Sequence, residues 1–320
     1  MGLAALPASR YGLAQPQKVH RVGYVVSDSD PRGSTTTFVP FAAALRERGW
    51  VEGKNLDLRV RSSRGNDALF PQLIADLLRE QVSLIVTAGS PATRAAKAAT
   101  DSVPIVFTSA ANPVEQKLVA SFGRPGGNVT GLALQSDEVG PKRVQLLKEM
   151  LPQARRFVRL YQGSTTSNQA ASVAAYDAAA RSLGVALDHV AVADMDGLDG
   201  ALGTAARERA DAVMLTAAGL FVGNRKAVAQ LALQHRLPAM CPDARFTEAG
   251  ALVSYGENMS ARYRRAAVLV DKILRGMKPA DIPVEQTAIF ELVINLQTAR
   301  HLGKSIPEPF LLQADRLLRG

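Results

Sequence analysis

The chain contains a single cysteine, Cys241, in 320 residues, so it cannot close an internal disulfide or build a cysteine-rich metal site. Aromatic residues make up only 5%, and the 38 Lys and Arg are scattered along helix faces without a basic arm of interleaved aromatics. Nucleic acid is therefore not expected as a partner, despite a net charge of +9. No apolar run approaches the roughly 18 residues that a membrane helix needs. The four histidines (His20, His189, His235 and His301) are not spaced with carboxylates or the cysteine as a metal or triad signature requires. A GxSxG elbow and a P-loop are missing, and Gly23-Tyr24-Val25-Val26-Ser27-Asp28 stands where a dinucleotide fingerprint would follow the first strand. Gly126-Gly127-Asn128 leads into a strand and reads as a turn, not a phosphate cradle. Cys241, followed by Pro242, reads as a small buried residue and not as a nucleophile. No catalytic residue, cofactor or metal site is expected.

What is present is an alternation of short apolar strands and helices, with 47% hydrophobic residues, in a chain too long for one typical core. The stretch Leu84 to Lys97 sets the pattern: Leu84-Ile85-Val86 is a strand buried on both faces, Ser90 is an N-cap, Pro91 takes the first helical position, and the Ala-rich Ala92 to Ala99 propagates the helix. A helix that starts there points its first N–H groups over the carboxyl edge of a parallel sheet and attracts anions. Around it, strands are expected near Val22 to Val26, Leu56 to Arg61, Ile105 to Phe107 and Val129 to Leu134, with helices at Phe38 to Arg48, Ala68 to Glu80 and Val114 to Phe122. The alternation restarts with a helix to Met150 and strands near Phe157, Val185, Ala212, Ala239 and Leu252. The fold class is α/β, with two doubly wound parallel-sheet domains. The elements after Arg262 exceed what the second domain needs, so the chain is expected to cross between domains more than once, near Leu134 to Asp137, Tyr255 to Met259 and Val284 to Ala288. This divides it into a tail (1–20), an N-terminal lobe (21–134 plus about 259–287) and a C-terminal lobe (135–258 plus about 288–320) joined by a multi-strand hinge.

In open parallel sheets, ligands bind at the carboxyl edge of the strands. The loops there carry Asp28, Ser90, Thr93 and Thr108 to Asn112 in the first half, and Gln162 to Thr165, Thr216 to Phe221 and Asp243 in the second. Two such edges facing across a hinge make a cleft for a small polar solute. A carboxylate is expected on the amides of Ala92 and Thr93 and the hydroxyls of Ser90 and Thr93, with Thr108, Asn112 and Thr216 nearby. If the solute is an amino acid, its ammonium needs an acid, Asp243 first and Asp28 as the alternative. Phe221 and Tyr255 either pack on its side chain or belong to the core.

Several stretches carry a family likeness over Arg21 to about Leu318: Arg48 to Leu56 (RGWVEGKNL), Ala95 to Thr100 (AAKAAT), Arg124 to Gly131 (RPGGNVTG), Ser254-Tyr255-Gly256, Tyr263 to Ala267 (YRRAA), Val270 to Leu274 (VDKIL) and Phe290 to Asn295 (FELVIN). The chain resembles the substrate-binding proteins of ABC importers, in the subfamily that includes tryptophan and tyrosine receptors. The resemblance implies a type I periplasmic-binding-protein fold and a non-enzymatic periplasmic receptor, monomeric, that delivers a carboxylate-bearing solute, an amino acid such as an aromatic one, to an ABC permease. Two departures bear on the solute: Asn112 precedes Pro113 where the family often has aspartate, and Asp243 follows Pro242 where it often has an aromatic. Export fits Met1 to Gln17, whose Gly12-Leu13-Ala14 resembles a signal-peptidase site ahead of Gln15. The alternatives are a ligand-sensing regulatory domain of the same fold, which would carry a helix-turn-helix where only twenty residues precede the first strand, and an α/β metabolic enzyme.

Overall fold

The structure is a computed structural model that describes residues 19–134, 139–163, 169–286 and 289–319. The first lobe opens with β1 (His20–Val26), α1 (Phe38–Glu47), β2 (Leu56–Ser62), α2 (Phe70–Arg79), β3 (Leu84–Thr87), α3 (Ser90–Ala99), β4 (Ile105–Ala111) and β5 (Val129–Leu134). The second follows with α4 (Val139–Met150), β6 (Arg156–Gln162), α5 (Gln169–Ser182), β7 (Ala186–Val192), α6 (Met195–Arg207), β8 (Ala212–Leu215), α7 (Gly219–Gly223), α8 (Arg225–Gln234), β9 (Ala239–Cys241), α9 (Ala244–Glu248) and β10 (Val253–Glu257). The chain then returns as α10 (Met259–Leu274) and β11 (Glu285–Gln286), and ends in β12 (Phe290–Asn295), α11 (Leu296–His301), α12 (Glu308–Leu311) and β13 (Arg316–Leu318).

Both sheets are wound in the same order. The first runs β2-β1-β3-β4-β5-β11, all parallel, and the second β7-β6-β8-β9-β10-β12-β13, in which β12 is antiparallel to β10. Helices cover both faces, which is why the strands are near-continuous apolar runs. On the first sheet, Phe41 and Leu45 of α1 pack with Tyr263, Leu269 and Val270 of α10 on one face, and Ile74 of α2 with Ala92 and Ala96 of α3 on the other. On the second sheet, α6 and α8 cover one face and α4 and α5 the other.

One expected element is not formed. No helix forms over Val114 to Phe122, which is a series of turns: Asn112 (φ 42°) and Lys117 (φ 54°) are left-handed, and two such residues five apart break an α-helix. Of the expected crossings, 135–138 and 287–288 lie outside the described residues, as do 1–18 with their expected cleavage site. The crossing between β10 and α10 is a single residue, Asn258, whose side chain caps α10 by accepting from Ala261 N at 2.8 Å and whose N–H donates to Ile289 O at 2.8 Å.

The residues that carry the family likeness mostly clasp one part of the first lobe to another. Trp50 Nε1 donates to Asp271 Oδ1 at 2.7 Å, joining RGWVEGKNL to VDKIL, and Asn128 Nδ2 donates to Thr100 O at 2.9 Å, joining RPGGNVTG to AAKAAT.

Candidate functional site

The carboxyl edges of the two sheets face one another, and at one end they touch. Gly219 and Gly223, the first and last residues of α7, lie on one side of a single helical turn, while Leu220 and Phe221 are buried in the second lobe's core. A methyl group at Gly219 would stand 2.5 Å from Asp67 Oδ1 and 3.2 Å from Ser27 Oγ. One at Gly223 would stand 2.5 Å from Gly65 N and 2.7 Å from Ser27 O. Only a residue without a side chain lets these backbones approach so closely. Beside them, Arg225 Nη1 donates to Asp28 Oδ1 at 2.6 Å, an ion pair across the cleft with both partners largely buried.

The helix of the Leu84 to Lys97 stretch begins one residue earlier than expected. Gly89, with φ 87° and ψ 154°, is the N-cap in place of Ser90, because its left-handed φ swings the chain from β3 into α3, and Ser90 and Pro91 open the helix. No side chain caps that turn. Thr93 is fully buried and its hydroxyl donates to Gly89 O at 2.8 Å, with Thr87 Oγ1 2.9 Å away. That proton is committed inside the lobe, so the expected donation from Thr93 to a solute does not hold. Thr93→Val should therefore cost about 1 kcal/mol of stability and change solute affinity less than about twofold. Melting curves and calorimetric titration check this, and a large affinity loss at unchanged stability would return Thr93 to the solute.

Ala92 is buried in the first lobe's core. Thr108 donates its hydroxyl to Thr87 O at 3.2 Å, and Asn112 is half-buried with its carbonyl accepting from Gln116 N. Thr216 is half-buried just beyond β8. Phe221 is fully buried among the second lobe's apolar residues, and Tyr255 stacks on Phe290 with centroids 5.8 Å apart. Both are accounted for by packing. Gly163 ends the described part of the loop after β6, so Ser164 and Thr165 lie outside the described residues.

Asp243 does not stand as an unpaired acid. Its oxygens accept from Arg245 Nε and Nη2, each at 2.8 Å, and from Arg245 N at 3.1 Å as the cap of α9. Burial pushes this carboxyl up, but the Arg245 guanidinium outweighs it and holds it below the usual range. The alternative, Asp28, keeps one oxygen open: Oδ1 takes Arg225 and Asp30 N, while the buried Oδ2 has no partner.

Sequence reading missed Arg225, Arg245 and Asp67. Arg245 follows a capping aspartate by two residues and was within reach. Its guanidinium lies in the field of Tyr263 and Asp28 of the first lobe as well as Asp243. Asp67 has a buried, unpartnered Oδ1 against α7, and burial raises its pKa, with Arg94 partly offsetting the rise. A carboxyl raised in the folded protein contributes stability below its unfolded pKa and loses it as pH rises through the folded pKa. Asp67→Asn should accordingly raise the melting midpoint at neutral pH, with the gain vanishing on acidification towards about pH 4. A lower midpoint at pH 7 would mean that the charged form is favoured there. Cys241 is fully buried and burial pushes its thiol up, which leaves it inert.

Comparison with known proteins adds four findings. The family model described as ABC transporter substrate binding protein matches residues 33–318. A tyrosine-binding protein of Clostridioides difficile (strain R20291) is 24% identical over 269 residues, 82% of this chain and 75% of that one. Among solved structures, an ABC domain from Streptococcus pneumonia in complex with L-Trp aligns over 94% of this chain and 100% of its own, with 22% identity and a TM-score of 0.82. The ligand-free, open form of a substrate binding protein with adhesive properties from Clostridium difficile, at the same identity and coverage, gives 0.64.

Proposed function

Because the chain belongs to the ABC transporter substrate-binding protein family, we propose that it is the extracytoplasmic receptor for an amino acid with an aromatic side chain, which it encloses between its lobes and hands to a membrane permease. The observation that carries this reading is the likeness to the tyrosine-binding relative across 82% of the chain. The curated relative is named for binding tyrosine, and the aligned ABC domain holds L-Trp. In this reading the solute's carboxylate meets the uncapped first turn of α3 at Ser90 and Ala92, and its ammonium meets Asp28 Oδ2. The receptor works as a monomer in the periplasm, after export and cleavage behind Ala14.

A thermal-shift screen tests the reading. L-Tyrosine or L-tryptophan should raise the midpoint, since a solute at 100 times its dissociation constant adds about 2.7 kcal/mol. Non-aromatic amino acids should raise it less, and Asp28→Asn should reduce the shift. No response to any aromatic amino acid, alongside a clear response to another solute, would sink it.

A further inference from the structure

We propose that α7 and Arg225 form a latch that closes the lobes and meets the solute only through Asp28, and that its α7 half, which touches no solute, scales the affinity for every solute by a common factor. The latch rests on the receptor reading only for the word affinity; the contact itself is protein on protein. Its second-lobe half is one short turn with two unlike faces. Leu220 and Phe221 fix it to the core behind, while Gly219 and Gly223 turn a side-chain-free surface to the first lobe. The first-lobe half is the turn at Gly65, held in the left-handed region at φ 86°, with Ser63 N donating to Val26 O and Asn66 N to Ser63 O. The two halves meet backbone to backbone. A Cβ at Gly65 would lie 2.8 Å from Asn224 Nδ2 and 3.4 Å from the carbonyl oxygens of Gly219 and Leu220, just as one at Gly223 would strike Gly65. Asn224 is held in place by donating to Leu220 O at 2.8 Å. Next along the chain, Arg225 spans the cleft to Asp28, and this pair is 13% and 3% exposed, so water does little to weaken it.

These contacts exist only when the lobes are together. They shift the balance between apart and together, and a binding-competent fraction f divides the intrinsic dissociation constant equally for every solute. A residue that touches the solute would instead discriminate between solutes.

Gly223→Val inserts a side chain where 2.5 Å is available, Arg225→Gln removes the charge, and Arg225→Lys keeps it. Small-angle scattering on the full chain without solute should show a larger radius of gyration for Gly223→Val and Arg225→Gln than for the natural sequence, with Arg225→Lys restoring most of the compaction. Calorimetry with L-tyrosine and with L-tryptophan should show affinities lower by on the order of tenfold for Gly223→Val, by the same factor for both. The melting midpoint without solute controls for folding. Equal radii for Gly223→Val and the natural sequence would overturn the latch, and so would a factor that differs between the two amino acids. If neither amino acid binds the natural sequence, the receptor reading fails while the scattering comparison still decides the latch.

Discussion

Arg262→Met is expected to destabilise the protein by about 3–5 kcal/mol, the range found when one partner of a buried ion pair is removed. Arg262 sits in the first turn of α10, fully buried, and pairs with Glu257 at the end of β10. Its Nη1 donates to Thr108 O at 2.7 Å and Leu132 O at 3.0 Å, and Nη2 to Ala133 O at 3.3 Å. One guanidinium thus holds the carboxyl ends of β4 and β5 to the point where the chain leaves the second sheet. Burial pulls its pKa down to about 10, which leaves it charged at neutral pH. Methionine fills similar space but takes the Arg262 cation from Glu257, itself only 7% exposed, and removes donors from three carbonyls. Urea unfolding measures the loss, and the double variant Arg262→Met/Glu257→Gln should recover part of it because no buried charge remains. A single variant within about 1 kcal/mol of the natural sequence would mean that the pair contributes nothing net.

Gly256→Ala should cost about 3 kcal/mol or more, an unusual figure for one methyl group. Its Cβ would stand 1.8 Å from Pro242 O and 2.9 Å from Pro242 C, which are backbone atoms of the loop that leads to Asp243. Arg143 clasps the same place, with Nε donating to Tyr255 O at 2.7 Å and Nη2 to Pro242 O at 3.0 Å. The methyl group would have to part β10 from that loop and loosen the clasp, displacing the Asp243–Arg245 pair with it. Gly123→Ala is the control, since nothing lies within 4 Å of its Cβ. Equal melting midpoints for the two variants would show that β10 and the loop do not pack this closely.

The sheets were legible because a strand buried on both faces is an apolar run, and α3 was placed to within two residues because proline and alanine mark its start and body. Five-residue helices such as α7 and α9 span little more than one turn, too few residues to repeat the helical period that would betray them. The family was legible for a related reason: Trp50, Asn128 and Asp271 are clasps whose spacing follows from the fold, so they identify the architecture and say little about the solute. Asp28 and Arg225 stand 197 residues apart, and nothing local links them until the lobes are apposed. Asp243 failed as a free acid for the opposite reason, since its partner is only two residues away.

The return of α10 also fixes an order of events during synthesis. One face of the first sheet, with Val22, Tyr24 and Val86, is covered by α1 together with a helix that ends at Leu274, so strands complete at Leu134 wait for another 140 residues (274 − 134) before that face is sealed. At translation rates of about 5–20 residues per second this is a delay of roughly 7–28 s. During that time α1 alone covers that face of the earlier-made lobe, while the second lobe's elements from α4 to β10 are made and its β12 and β13 are still to come. The lobe that begins first therefore seals its core only after most of its neighbour has been made, and a ribosome stalled before codon 259 would hold a chain whose first half cannot complete its core.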